Sequence, residues 1–203
     1  MNKIITIGRE FGSGGRELGK RLAEKLGIAY YDQEIIEEIA NKTVLSEQYI
    51  HCIVEKRPII SFPIHTGRTL HVIANPLFEQ SKLVFKKQCE IIREMAEKSD
   101  CVIVGRCADY ILRNNHPFRI FVYADMESKI ARCRTNETEH ETLTDKELKK
   151  RIAEIDKQRA RYYEFYSGQT WGARINYDLC INTTNFTIRE ISEAMARLVS
   201  EQE

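Results

Sequence analysis

At 203 residues the chain is long enough for a single domain, with or without an insertion, and for a sizeable buried core. Its 31 basic and 30 acidic side chains leave a net charge of +1, which excludes a global attraction to nucleic acid or anionic membranes but leaves room for a local basic groove. No apolar run approaches the ~20 residues that span a bilayer, and the chain enters a strand pattern directly, with no signal-peptide pattern. Six cysteines (52, 89, 101, 107, 133 and 180) form no CxxC pair and no zinc-spaced cluster with the five dispersed histidines. Reduced thiols in a cytoplasmic protein, with no metal site built from side chains, are the expectation.

Lys3–Gly8 reads as a first strand and Gly15–Gly27 as a first helix, with Leu18, Leu22 and Leu26 repeating every fourth position and Gly27 as C-cap. Ile28–Tyr31 is a short strand ending at Asp32, and Gln33–Asn41 is helical, with Ile35, Ile36 and Ile39 on one face. From Lys42 to Pro76 the pattern loosens around Pro58, Pro63 and Gly67, with a brief helix near Glu47–Glu55; an insertion over the sheet is expected there. Leu77–Lys98 is helical again. Cys101–Val104 is a continuous apolar run of the kind buried on both faces of a parallel sheet, followed by Gly105-Arg106 and a helix over Ala108–Arg113. Phe118–Ala124 is a strand, Glu127–Arg134 a helix and Asn136–Leu143 a polar loop. Thr144 and Glu147 form a capping box for a helix running to about Phe165. Tyr177–Asn182 and Ile188–Val199 supply the last strand and helix.

Strands alternating with helices predict an α/β fold, a five-stranded parallel sheet in three α/β/α layers, all in one domain over 1–203. Ligands of such sheets gather at the carboxyl ends of the strands. Those ends carry Gly8–Gly15, Asp32, Gly105-Arg106 and the segment after Ala124. Four glycines between Gly8 and Gly15, placed between strand and helix, suit a phosphate-binding loop: Gly8, Gly12, Ser13, Gly14 and Gly15 supply the cradle, with Arg9, Arg16 and Glu17 beside it. With Gly8, Gly12 and Gly14 as the cradle, Gly15 falls where GxxxxGK[ST] has lysine, and Arg16 and Glu17 fall where a hydroxyl is expected. A literal GxxxxGK over Gly14–Lys20 lies inside the helix and is spurious. Arg16 or Arg9 is expected to supply the missing positive charge, and Ser13 or phosphate-bound water to help with Mg²⁺.

Arg106 reads as a bidentate phosphate clamp, or else as the partner of Asp109. Asp32 reads as an acceptor of hydrogen bonds from a sugar or base, or as the N-cap of the next helix. Two basic helices, one with Lys129, Arg132 and Arg134 and the other with Asp156 and Arg159, flank the polar loop and suggest a lid over 132–160. Trp171, Tyr162, Tyr163 and Tyr166 are expected to pack as core or hinge.

The stretches ITIGREFGSGGRELGKRLAEKLG, YYD, VIVGR, RIFVYA, EIDKQRARYY and YDLCINT, in that order, resemble the cytidylate-kinase-like family. The resemblance implies the P-loop nucleoside-monophosphate-kinase fold, with an acceptor-binding insertion over 42–98 and a lid. It further implies transfer of the ATP γ-phosphate to a pyrimidine monophosphate such as CMP or dCMP, with Mg²⁺ held mainly by phosphates and water. By position, Asp32, Arg106, Asp156 and Arg159 would bind the acceptor and Arg132 would be a lid arginine; with Arg16 standing in for the missing lysine, Arg16, Arg106 and Arg132 are the expected catalytic residues. The chain departs from the family pattern at Gly15, at Glu17 and at Cys107, which stands in place of an aspartate. The other reading is a nucleotide- or anion-binding regulatory protein without kinase activity. Expected partners are small nucleotides or related acceptors, with no nucleic acid or membrane, and the sequence is compatible with a homo-oligomer.

Overall fold

Five parallel strands, in the order β2-β3-β1-β4-β5, form the centre of the protein. They are β1 (Ile4–Arg9), β2 (Ala29–Tyr31), β3 (Cys101–Val104), β4 (Phe118–Tyr123) and β5 (Leu179–Asn182). The computed structural model describes residues 2–54, 76–136 and 143–200. The central part of the expected insertion, 55–75, and most of the polar loop before Thr144 lie outside the described residues. β1 is flanked on both sides, Ile5 lying opposite Val102 of β3 and Phe118 of β4. Ile5, Ile7, Val102 and Ile103 have no exposed surface, which is why both runs read as apolar and β-branched, with the buried Thr6 the one polar residue between Ile4 and Ile7.

Two helices cover one face. These are α1 (Gly15–Leu26) and α8 (Ile188–Ser200), whose Leu18, Leu22, Ile191 and Met195 pack on Ile5, Ile7, Val102 and Val104. The other face carries α2 (Glu34–Asn41), α3 (Glu47–Val54), α4 (Pro76–Lys98), the short α5 (Ala108–Ile111) and the C-terminal part of α7 (Asp145–Ser167). Between β4 and α7 lies α6 (Met126–Asn136). The N-terminal half of α7 packs on α6 through Leu148, Ile152 and Cys133, and Phe11 from the glycine loop joins that cluster.

Local signals set the helix ends. Gly27 is left-handed at φ 67°, and its N–H returns to Ala23 and Glu24. The Thr144 hydroxyl accepts from the Glu147 N–H while Glu147 reaches back to the Thr144 N–H, completing the capping box. The helix expected over Ala108–Arg113 is shorter: α5 stops at Ile111 and a 3-10 turn over Arg113–Asn115 leads to His116 before Pro117. Similarly, β5 starts at Leu179 rather than Tyr177; just before it Asp178 pairs with Arg119 through both backbone and side chain.

Leu22 sits at the centre of the α1–sheet contact with no exposed surface. Leu22→Ala is expected to lower unfolding stability by about 2–5 kcal/mol in urea titration, through lost burial and the cavity left behind.

Candidate functional site

All five strands point their carboxyl ends at one edge, and the glycine loop rises from the middle of it. The chain leaves β1 at Arg9, turns through Glu10–Gly14 and enters α1 at Gly15. Gly14 is the N-cap residue at φ 81°, a conformation glycine adopts without strain, and no side chain caps the helix. The first-turn N–H groups therefore face outward at the positive end of a 12-residue helix, an arrangement that favours an anion. Above them lies a cleft of about 630 Å³ lined by the loop and by Arg16, Lys20, Arg21, Arg132 and Arg159. At its rim Glu17 pairs with Arg21 at 2.7 Å.

Asp32, just past β2, is buried and gathers two arginines. Arg16 Nε lies 2.6 Å from one carboxylate oxygen and Arg9 Nη2 3.4 Å from the other. Asp32 is not the N-cap of α2: Gln33 occupies that position without a side-chain cap, and Glu34 closes the turn by accepting from the Asp32 N–H. Arg9 is held below the usual arginine range, to about 9, by burial first and by Arg159 second, with Asp32 opposing. It remains cationic at neutral pH.

Past β3, Gly105, Arg106 and Cys107 are all left-handed, at φ 73°, 58° and 55°. Two non-glycine residues in this region cost on the order of 1–3 kcal/mol each, a strain characteristic of functional sites. Gln88 of α4 holds the turn, donating to the Arg106 carbonyl at 2.8 Å, and Tyr162 donates in turn to Gln88 at 3.4 Å. The buried Arg106 Nε has no hydrogen-bond partner among the described residues. Asp109 does not pair with it; Asp109 instead accepts from the Tyr163 hydroxyl at 2.7 Å, and burial raises its pKa against that bond. Arg106 lines a second cavity of about 50 Å³ with Gly8, Arg9, Arg159, Tyr163, Trp171 and others.

The helices around the polar loop grip the glycine loop. Asp156 of α7 accepts from the Phe11 N–H at 2.7 Å and from Lys129 Nζ at 3.0 Å, and Lys129 also lies 2.7 Å from Glu10. Arg132 of α6 donates to the Gly12 carbonyl at 3.5 Å and to the Thr183 carbonyl. Arg159 donates to the Arg9 carbonyl at 3.4 Å and lies over the Phe11 ring. The Ser13 hydroxyl, expected to help with Mg²⁺, is buried and donates to the Glu10 carbonyl at 2.8 Å, while Thr183 donates to the Ser13 carbonyl. No group of three His, Cys, Asp or Glu is arranged to hold a metal among the described residues.

Arg9, Arg16, Asp32, Arg106, Arg132 and Arg159 thus converge on one edge with Gly8–Gly15, whereas Asp156 reaches the site as a brace of the loop. Sequence reasoning missed Glu10, Phe11, Gln88 and Thr183, and placed Lys129 on a basic lid helix without foreseeing its burial between Glu10 and Asp156. Thr183 had a signal, since it directly follows β5 and every other strand end had drawn attention. The aromatic residues read as packing do pack, and Tyr162, Tyr163 and Trp171 also wall the second cavity.

Residues 4–185 match the model of the cytidylate kinase-like family. A cytidylate kinase of Archaeoglobus fulgidus is 27% identical over 197 residues, covering 96% of this chain and 93% of the relative. A structure from Eubacterium ventriosum ATCC 27560, described as an uncharacterized protein, superimposes with a TM-score of 0.70 at 27% identity over 98% of both chains. Shikimate kinase from Bacteroides thetaiotaomicron shares the fold, with a TM-score of 0.59 at 15% identity over 98% of this chain and 99% of that one.

Lys129→Met would leave Glu10 and Asp156 facing each other without their cation. A loss of about 3 kcal/mol is expected at neutral pH. Burial alone would lower the Lys129 pKa, but the Glu10 hydrogen bond and the Asp156 charge outweigh it and raise the value above 10.5. The stability Lys129 adds is therefore complete below 10.5 and is lost as pH rises through the folded-state value, so wild-type and variant denaturation curves should converge at the alkaline end.

Proposed function

Because the chain belongs to the cytidylate kinase-like family, a family of P-loop kinases, we propose that it transfers the γ-phosphoryl group of ATP to a nucleoside monophosphate of the cytidine type or a related small acceptor. The observation that carries this reading is the convergence of Arg9, Arg16, Arg106, Arg132 and Arg159 on a glycine turn at a helix N-terminus. That many cations at one edge suit two phosphate-bearing ligands meeting end to end.

The loop backbone and the start of α1 receive the ATP polyphosphate, with Arg16 and Arg132 adding positive charge over it. Arg106, carrying an unsatisfied buried Nε, holds the acceptor phosphate, and Asp32 and Arg159 orient the acceptor. An acceptor phosphate oxygen attacks the γ-phosphorus in line, and the bond from that phosphorus to the β–γ bridging oxygen breaks, leaving ADP. An acceptor phosphate at neutral pH is already anionic, so positioning and charge neutralisation suffice without a strong general base. Mg²⁺, when bound with the nucleotide, would supply further neutralisation of the phosphate charge. The segments 42–98 and 132–160 take the roles of acceptor-binding insertion and lid, and Asp156 ties the lid segment to the glycine loop through the Phe11 N–H.

A second reading, a nucleotide- or anion-binding regulator without transferase activity, is favoured by two features: glycine at the lysine position and a Ser13 hydroxyl turned inward. The two readings separate in one assay. With ATP, Mg²⁺ and a panel of nucleoside monophosphates, the kinase forms ADP only when its acceptor is present; ATP binding without acceptor-dependent ADP supports the regulator. Arg106→Ala is expected to lower kcat/KM for the acceptor on the order of 10²-fold, and unaltered kinetics would remove Arg106 from the site.

A further inference from the structure

Two residues of the loop are exchanged with respect to the phosphate-loop pattern, and they touch. With Gly14 and Gly15 at the last two positions of G-x-x-x-x-G-K, the first position falls on Arg9 rather than on Gly8. Arginine therefore stands where the pattern has glycine, and glycine where it has lysine. A Cβ built on Gly15 would lie 2.5 Å from the Arg9 Cβ and 3.1 Å from its Cγ, closer than real Cβ atoms come. The Arg9 side chain runs across the place from which a lysine at 15 would start. Either residue can carry the cation, but not both at once.

Beyond Gly15 the Arg9 guanidinium reaches the end of β3. Its Nη1 lies 1.5 Å from where a Gly105 Cβ would be, and Gly105 is itself left-handed at φ 73°, so a side chain there would displace the guanidinium and strain the turn. The side chain is only 10% exposed, against 63% for Arg16. Among the described residues lining the donor-side cleft and the Arg106 cavity, Arg9 and Arg159 line both. Arg9 and Arg159 are therefore the cations placed to meet a phosphoryl group between the two, and of these Arg9 is the one that belongs to the loop.

We infer that Arg9 is the catalytic cation of this loop, contacting the transferring phosphoryl group from the strand side, across Gly15. This rests on the proposed kinase reading and moves the catalytic role from Arg16 to Arg9. Arg16 then acts at the rim as a binding charge for the polyphosphate, and Asp32 positions both guanidiniums.

The test compares wild type, R9M, R9K, R16M, G15K, R9G and R9G/G15K by steady-state kinetics with ATP and the acceptor found in the panel, by calorimetric binding of ATP, and by melting temperature. R9M is expected to keep its melting temperature within a few degrees and to lose on the order of 10²–10³-fold in kcat, with the ATP KM changing far less. R9K should retain more activity than R9M. R16M should raise the ATP KM more than it lowers kcat. G15K alone should lower melting temperature and activity together, while R9G/G15K should recover at least tenfold in kcat over R9G. A folded R9M with wild-type kcat overturns the assignment. So does a folded R9G/G15K no better than R9G; if that variant does not fold, R9K equal to R9M overturns it instead. Wild-type protein that binds ATP but transfers nothing to any acceptor overturns the proposed function and the catalytic role of Arg9 together, whereas active wild type with an equally active R9M overturns the Arg9 assignment alone.

Discussion

A charged guanidinium buried at the carboxyl edge of a parallel sheet is the constraint around which this protein is arranged. Arg9 leaves the central strand with about nine-tenths of its side chain out of solvent, beside the positive charges of Arg159, Arg106 and Arg16. Taking such a charge from water is unfavourable unless it is paired and hydrogen-bonded. Asp32 is the one carboxylate within ion-pair distance of it among the described residues, and its other oxygen serves Arg16. The result is a cluster with more positive than negative charge at its centre, held at the start of a helix whose dipole has the same sign. An anion would relieve all of these terms at once. Glycine at 15 and 105 and aspartate at 32 look unrelated in sequence, yet each makes room or charge for the same side chain.

The surrounding structure keeps this arrangement in place from two directions. From α6 and α7, Lys129, Asp156, Arg132 and Arg159 hold the loop through one backbone N–H and two backbone carbonyls. From α4, Gln88 fixes the left-handed turn that carries Arg106. Of the loop's own side chains these sets use Glu10, paired with Lys129, and Phe11, under Arg159; Asp156, Arg132 and Arg159 otherwise hold its backbone. The loop can therefore differ from GxxxxGK in its side chains while its backbone cradle stays supported, which is the combination this chain presents.

Much of the fold was legible because its signals are local. The runs at Ile4–Gly8 and Cys101–Val104 are apolar, β-branched and ended by glycine, and Gly27, Thr144 and Glu147 mark helix ends by their own backbone chemistry. The strand-end rule also brought Asp32, Arg106 and the glycine loop to one edge. What stayed hidden depends on contacts far apart in sequence. Nothing near Asp156 says that its carboxylate meets the Phe11 N–H, 145 residues away, and nothing near Lys129 says that it is buried between Glu10 and Asp156. Asp32 offered two local readings, base recognition or helix cap, and the structure added a third, a shared counter-charge for two arginines. The inward turn of the Ser13 hydroxyl and the path of Arg9 across Gly15 are likewise matters of packing that no spacing rule encodes.

The most direct measurement is a crystal structure of the protein with a non-hydrolysable ATP analogue. The expected result has the polyphosphate on the N–H groups at the start of α1, with the terminal phosphate oxygens within hydrogen-bonding distance of the Arg9 guanidinium. A polyphosphate bound away from α1, or bound there with Arg9 still on Asp32 and out of reach of the terminal phosphate, would contradict it.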